Sequence, residues 1–299
     1  MNKTIVMSSG GALMRYKKEL SKLHEAGYDF FAFSTSFMYC VHELNMYPDY
    51  FAFIDPQSAM PALEHICRHK KEISTKVIFL DPIHTTLSYN EYINWYGTSP
   101  VGRENNFGGW QRLHELVKEV QDSGLAINMP CLSLKHIYNN KSQYADTFTT
   151  DIDLVKKDFD KRFSIEHVII KNQLDPNFNE DKLTSIVLPI LDKLKIYNIS
   201  LIGFDCQGGR YIANLGDNYT LSRQPELRTI KSNQSHVHLP NANRGLEESK
   251  RSIKKYLPLW LKTQKFQITN LVEDKYTFLK SYIPYQSIKD LQHETSFTK

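Results

Sequence analysis

Residues 4–36, TIVMSSGGALMRYKKELSKLHEAGYDFFAFSTS, limit the fold more than any other stretch. TIVM is a short apolar run of β type. SSGG is a turn. ALMRYKKELSKLHEAG carries apolar residues at helical spacing and closes on Gly27, a C-cap glycine. DFFAFSTS is a second strand. The order is strand, glycine loop, helix, strand. A unit of this kind brings a loop and a helix N-terminus together where a phosphate can be held. SSGGA is not the GxGxxG fingerprint, so the glycines alone are a weak signal.

The pattern repeats along the chain. YFAFIDP (50–56) and KVIFLDP (76–82) read as strands that each end in Asp-Pro, with a helix over 57–71 between them. A helix over 110–123 precedes a strand in GLAINMP. HVIIKN reads as a strand, EDKLTSIVLPILDKLKI as a helix despite Pro189, and ISLIGFD as a strand. NRGLEESKRSIKKYLPLWL is a basic helix and FQITNLV a last strand. This alternation predicts an α/β fold: a Rossmann-like, mainly parallel sheet with helices on both faces. Segments 84–109 and 206–240 are long and polar, and read as lid or loop regions. The expected organisation is one nucleotide-sugar-binding α/β domain over 1–272 that includes both of these regions, and a helical, basic tail over 273–299.

Ligands of open parallel sheets sit beyond the carboxyl ends of the strands. That rule places Ser8–Gly11, Ser34–Ser36, Asp55, Asp81 and Asp205 on one rim. Each could be an ordinary cap; their joint occurrence favours a site.

Composition narrows the partners. With 41% hydrophobic and 23% charged residues the chain is an ordinary globular protein. A net charge of +4 is too mild for a dense nucleic-acid stripe and suits a small anionic ligand or an anionic membrane surface. Cys40, Cys67, Cys131 and Cys206 form no CxxC pair and read as reduced thiols. No apolar run approaches the ~18 residues of a membrane span. A cytoplasmic protein is expected. RSIKKYLPLWLKTQKF mixes Lys and Arg with Leu and Trp260, which suits either peripheral contact with the inner face of an anionic membrane or an ordinary surface helix with a buried face.

The chemistry gathers in the second half. Asp205 ends an apolar strand and is followed by Gln207, Arg210 and Tyr211; His236 and His238 stand in a loop before the basic helix. Histidine is the usual general base near neutral pH. A strand-end aspartate can orient it, hold an acceptor hydroxyl or attack a substrate carbon. Tyrosine and arginine can stabilise a departing phosphate. HxH lacks a third ligand at diagnostic spacing, and Asp151-Ile152-Asp153 reads better as an N-cap than as a metal-binding DxD. No metal and no cofactor are expected.

Four stretches carry a resemblance: TIVMSSGGAL, DFFAFSTSF with YFAFIDPQ, LTSIVLPILDKLKIYNISLIGFD, and NQSHVH. In this order they resemble the bacterial lipooligosaccharide sialyltransferases, a family 42-like group of glycosyltransferases that use CMP-sialic acid. The resemblance implies that Ser8, Ser9 and Gly10 line the phosphate and ribose. It implies that Ser34 and Asp55 face the nucleotide or donor sugar, and that Thr184 and Ser185 contact the donor. Tyr211 would hydrogen-bond the departing phosphate and His236 would deprotonate the acceptor hydroxyl. A lipid-linked or other glycan acceptor in cell-surface polysaccharide or lipooligosaccharide synthesis is implied with it.

The chain departs from that pattern where Ser9, Ser34 and Asp55 replace asparagines and Gln207 replaces one of two tyrosines. Another CMP-activated acidic sugar, such as Kdo, pseudaminic or legionaminic acid, is therefore an equal candidate donor. Two other mechanisms stay open: a retaining transferase with Asp205 as nucleophile, and a nucleotide-dependent phosphotransferase that needs magnesium. A non-catalytic nucleotide or glycan-binding module is the third reading. Homo-oligomerisation is left open.

Overall fold

The computed structural model describes residues 3–10, 12–53, 56–81, 107–130, 182–204, 242–273 and 277–294. Among these residues seven strands form one sheet: β1 Thr4–Met7, β2 Asp29–Phe33, β3 Tyr50–Ala52, β4 Lys76–Asp81, β5 Ala126–Pro130, β6 Asn198–Ile202 and β7 Gln267–Asn270. The order is β5-β4-β3-β2-β1-β6-β7, and every pairing is parallel. The fold is thus α/β and Rossmann-like, as the alternation predicts.

The strands are short continuous apolar runs because both faces of the sheet are covered. Ile5, Val6, Met7, Phe30, Phe31, Phe33, Phe51, Val77, Ile78 and Phe79 are fully buried. Phe51 stacks on Phe53 at 5.6 Å, and Phe53 meets Phe79 edge-on at 5.9 Å, so one aromatic seam crosses β3 and β4.

The helices are α1 Ala12–Arg15, α2 Lys17–Glu25, α3 Ser36–Tyr39 running into a π turn at Cys40–Leu44, α4 Pro56–His69 and α5 Phe107–Asp122. After them come a π turn at Leu183–Val187 that leads into α6 Leu188–Leu194, then α7 Ala242–Lys262 and α8 Ile288–Glu294. Those that follow β1 to β4 connect strands stepping one way across the sheet. The π turn with α6, and α7, connect strands stepping the other way. Right-handed crossovers therefore put the two groups on opposite faces. The contacts agree: α4 packs on α5, while α7 packs on the 183–187 turn.

Two departures from the simple pattern have local causes. The helix expected through 12–27 is interrupted at Tyr16, because the Leu13 carbonyl is taken by the Tyr39 hydroxyl at 2.7 Å as well as by the Tyr16 N–H. It still ends as expected. Gly27 takes φ +85, its N–H bonds His24 and the Tyr28 N–H bonds Leu23, the paired bonds of a Schellman motif. α5 begins at Phe107, three residues before the expected start.

α7 carries Arg251, Lys254, Lys255 and Lys262 outward and buries Ile253, Tyr256, Leu257 and Trp260. Trp260 meets Phe266 edge-on at 5.7 Å. The tryptophan that membrane contact would have exposed is thus a core residue. Among the described residues no helix is long and apolar enough to cross a membrane. Residues 277–294 close over the sheet edge and α2: Leu279, Ile283, Ile288 and Leu291 are buried, and the Tyr28 hydroxyl donates to the Leu291 carbonyl at 2.9 Å. The expected strand HVIIKN and the segments 84–106 and 206–240 lie outside the described residues.

Candidate functional site

Strands β1 to β5 are laid down in one direction from β1, and β6 and β7 in the other. The order reverses between β1 and β6. Loops leaving neighbouring strands in opposite directions open a crevice at the carboxyl ends of those two strands, which is where ligands of open α/β sheets bind. Ser8–Gly10 leave β1 there, and Gly203–Phe204 leave β6.

The two exits are stitched together. Ser8 N–H donates to the Ile202 carbonyl at 2.9 Å, and Gly10 N–H donates to the Gly203 carbonyl at 3.0 Å. The Gly10 carbonyl accepts from Leu13 N–H at 3.3 Å, which starts α1 on the far side of the loop. Gly203 has φ +80, and a Cβ built on it would lie 2.4 Å from the Ser8 oxygen and 2.9 Å from the Ser8 carbonyl carbon. Only glycine satisfies both conditions. Ser8 is buried and Ser9 half-buried, so the loop presents mainly backbone and small hydroxyls.

The end of β2 borders this crevice. Ser34 holds φ +60, a left-handed conformation that costs a serine about 1–3 kcal/mol unless its surroundings enforce it. They do. Ser34 N–H donates to the Ala52 carbonyl at 2.8 Å. The Ser36 hydroxyl accepts from Phe33 N–H at 2.8 Å and lies 3.0 Å from the Met7 carbonyl, locking the β2 exit to the end of β1. Beside it, the Thr35 hydroxyl is buried with no hydrogen-bond partner. A strained backbone and an orphaned hydroxyl on consecutive residues are the kind of cost that functional sites retain.

The third contribution comes from the crossover into β6. This segment runs antiparallel to the strands, so its first turn lies on the rim where the strands end. Lys182 Nζ stands 5.9 Å from the Phe33 ring centroid, which sets this turn over the end of β2. Thr184 is buried in the π turn and Ser185 belongs to it. The rim therefore gathers Ser8, Ser9, Gly10, Ser34 and the Thr184–Ser185 turn from three regions of sequence. Asp55, Asp205, Gln207, Arg210, Tyr211, His236 and His238 lie outside the described residues.

Electrostatics behind the rim are quiet. Burial pushes the Cys40 thiol far up, and its sulfur lies 4.0 Å from Met7 Sδ, so it serves as packing. His65 is pulled below its usual value by burial, then by His69, His42 and Arg68, against a smaller opposing pull from Glu72. Its ring stacks on His69 at 4.5 Å, meets Phe37 at 6.4 Å and lies 3.4 Å from the Tyr47 hydroxyl. Among the described residues no group of three His, Cys, Asp or Glu side chains is placed to hold a metal ion.

Sequence reasoning placed Thr35 on the rim within Ser34–Ser36 but assigned no role to Gly203 or Lys182. Gly203 was discoverable as the small residue between the last buried position of β6 and Asp205. Lys182 and the orphaned state of the Thr35 hydroxyl carry no sequence signal, since their significance comes from neighbours far along the chain.

No protein-family model matches the chain, and no curated protein matches it. Among solved structures it is similar to the sialyltransferase CstII from Campylobacter jejuni in complex with a substrate analogue, cytidine-5'-monophosphate. The identity is 14%, the alignment covers 96% of this chain and 86% of that one, and the TM-score is 0.37. At that TM-score the likeness carries no argument, and the site rests on the strand order and hydrogen bonds above.

Proposed function

We propose that the chain is a glycosyltransferase that moves an acidic eight- or nine-carbon sugar from a CMP-activated donor to a glycan acceptor of the cell surface. Sialic acid, Kdo and related nonulosonates form the donor class. The observation that supports it most is the crevice at the β1/β6 reversal, with Gly203 drawn against Ser8 so that the glycine loop lies flat beside the exit of β6. A loop of backbone and small hydroxyls suits a single phosphate and a ribose.

In this reading Ser8, Ser9 and Gly10 take the phosphate and ribose, and Ser34 and Asp55 the nucleotide or the sugar. Thr184 and Ser185 contact the sugar, with Gln207 and Arg210 nearby. The acceptor O–H gives its proton to His236 while its oxygen bonds the anomeric carbon. The bond from that carbon to the phosphate oxygen breaks, and CMP leaves with the electron pair. Tyr211 donates to the departing phosphate, an interaction that strengthens as charge develops there. A CMP-sugar carries one phosphate that leaves readily, so the scheme requires no metal. The reaction would take place on the cytoplasmic side, where CMP-sugars are made.

The test is CMP release from a panel of CMP-activated acidic sugars. His236→Ala is expected to abolish transfer while CMP binding is kept. Transfer that survives His236→Ala and is lost in Asp205→Ala would establish the retaining mechanism instead. Activity in the cell that is unchanged by both would mark a binding module.

A further inference from the structure

The π turn at Leu183–Val187 has an unusual cause and an unusual remedy. In a π register the carbonyl of residue i accepts from the N–H of residue i+5. Leu188 N–H duly bonds the Leu183 carbonyl. The next carbonyl, that of Thr184, would take its bond from residue 189, which is proline and has no N–H. The α alternative is also closed, because the Leu188 N–H that would serve it is committed to Leu183. Pro189 thus offers no backbone N–H to the Thr184 carbonyl. The partner comes from α7: Trp260 Nε1–H donates to the Thr184 carbonyl at 3.0 Å, from a ring that is 1% exposed.

We infer that Trp260 is a positioning residue for the Thr184–Ser185 turn, its indole N–H replacing the backbone donor that Pro189 lacks and holding that turn at the rim. The role in ligand binding rests on the donor-contact reading of Thr184 and Ser185 above. The arrangement couples the helix after the 206–240 segment to the helix before β6.

The experiment is a double-mutant cycle between Trp260→Phe and Pro189→Ala in the full chain, read in two ways. Phenylalanine keeps the packing on Phe266 and removes the N–H; alanine at 189 restores a backbone N–H to the helix. In amide hydrogen exchange without nucleotide, Trp260→Phe is expected to speed exchange over 183–188 by roughly tenfold, as expected for local opening after a lost bond. In the Pro189→Ala background the same change is expected to do little. Equal acceleration in both backgrounds, or none in either, would overturn the positioning role. In CMP titrations, Trp260→Phe is expected to weaken binding by roughly tenfold, the loss of one buried hydrogen bond that holds the turn, with partial rescue by Pro189→Ala. Coupled exchange with unchanged CMP affinity would overturn the ligand-binding half alone. Wild-type protein that ignores CMP would overturn the nucleotide reading, and with it the ligand-binding half, while the exchange data still decide the positioning. Should Trp260→Phe fail to fold, 3-benzothienylalanine at 260 has the same shape without the N–H and is read by the same criteria.

Discussion

Gly203 and Ser8 approach so closely that a methyl group on Gly203 would sit 2.4 Å from the Ser8 carbonyl oxygen. The contact lies at the one place where the strand order reverses. Its partner is backbone, which cannot swing away as a side-chain tip can. Gly203→Ala therefore meets both a positive φ and a clash. Gly27 also has a positive φ but nothing within 4 Å of its would-be Cβ. Gly27→Ala is expected to cost about 1 kcal/mol, the backbone term alone. Gly203→Ala is expected to cost at least about 2–3 kcal/mol more and to weaken CMP binding, because the Gly10–Gly203 bond must shift. Urea denaturation of the two variants checks this; equal costs would refute the close approach.

Thr35→Val should raise stability. The valine keeps the shape and removes a buried hydroxyl that has no partner, which is worth about 1 kcal/mol. Thr35→Ser should not give this gain. If the hydroxyl meets the ligand, Thr35→Val will gain stability as apoprotein and lose affinity for CMP. A destabilised Thr35→Val apoprotein would mean that the hydroxyl is bonded in the native state.

His65 makes stability depend on pH. Its folded pKa is lowered by burial first, then by His69, His42 and Arg68, while Glu72 pulls the other way. Between the lowered folded value and the unfolded value of about 6.5, the unfolded chain binds more protons than the folded one, so stability falls as pH falls. The contribution is complete above the unfolded value and is lost on acidification toward the folded one. Thermal melts from pH 8 to 5 should show a smaller loss for His65→Gln than for wild type. Parallel curves would remove His65 as a cause.

Cys67 is buried against the Leu116 carbonyl, and its thiol is pushed up to about 11 by burial, then by Glu119. Cys40 is pushed up further by full burial. Neither should react with iodoacetamide at pH 7.5 before unfolding, since the thiolate is the reactive form. Peptide mapping by mass spectrometry after brief labelling reads this directly, and native labelling at Cys40 or Cys67 would contradict it.

Much of the fold was legible because buried parallel strands are written as plain apolar runs. TIVM, DFFAF, KVIFLD and AINMP needed no tertiary information. Their order did: sequence shows that β1 and β6 are strands, but only pairing shows that they are neighbours and that the order reverses there. Ends were harder than centres. DFFAFSTS stops at Phe33 because Ser34 turns left-handed, and YFAFIDP keeps only Tyr50–Ala52 as strand. Of the site, Ser8–Gly10 and Ser34 were readable as polar residues after apolar runs. Thr35 fell on the rim with them, but its orphaned hydroxyl was not readable, because an unpaired hydroxyl is defined by what surrounds it. Trp260 stayed open between membrane contact and the buried face of a surface helix, since the sequence places it on a helix face without saying what that face covers.

The central claim is a cytidine nucleotide site at the β1/β6 reversal. It is tested most directly by thermal shift of the full chain with CMP, CDP, UDP, GDP, ADP and ATP, with and without magnesium. The account predicts stabilisation by CMP and CDP alone, independent of magnesium, equivalent to about 2.7 kcal/mol at a hundredfold excess over Kd. Stabilisation by ATP only with magnesium, or by no nucleotide at all, would contradict it.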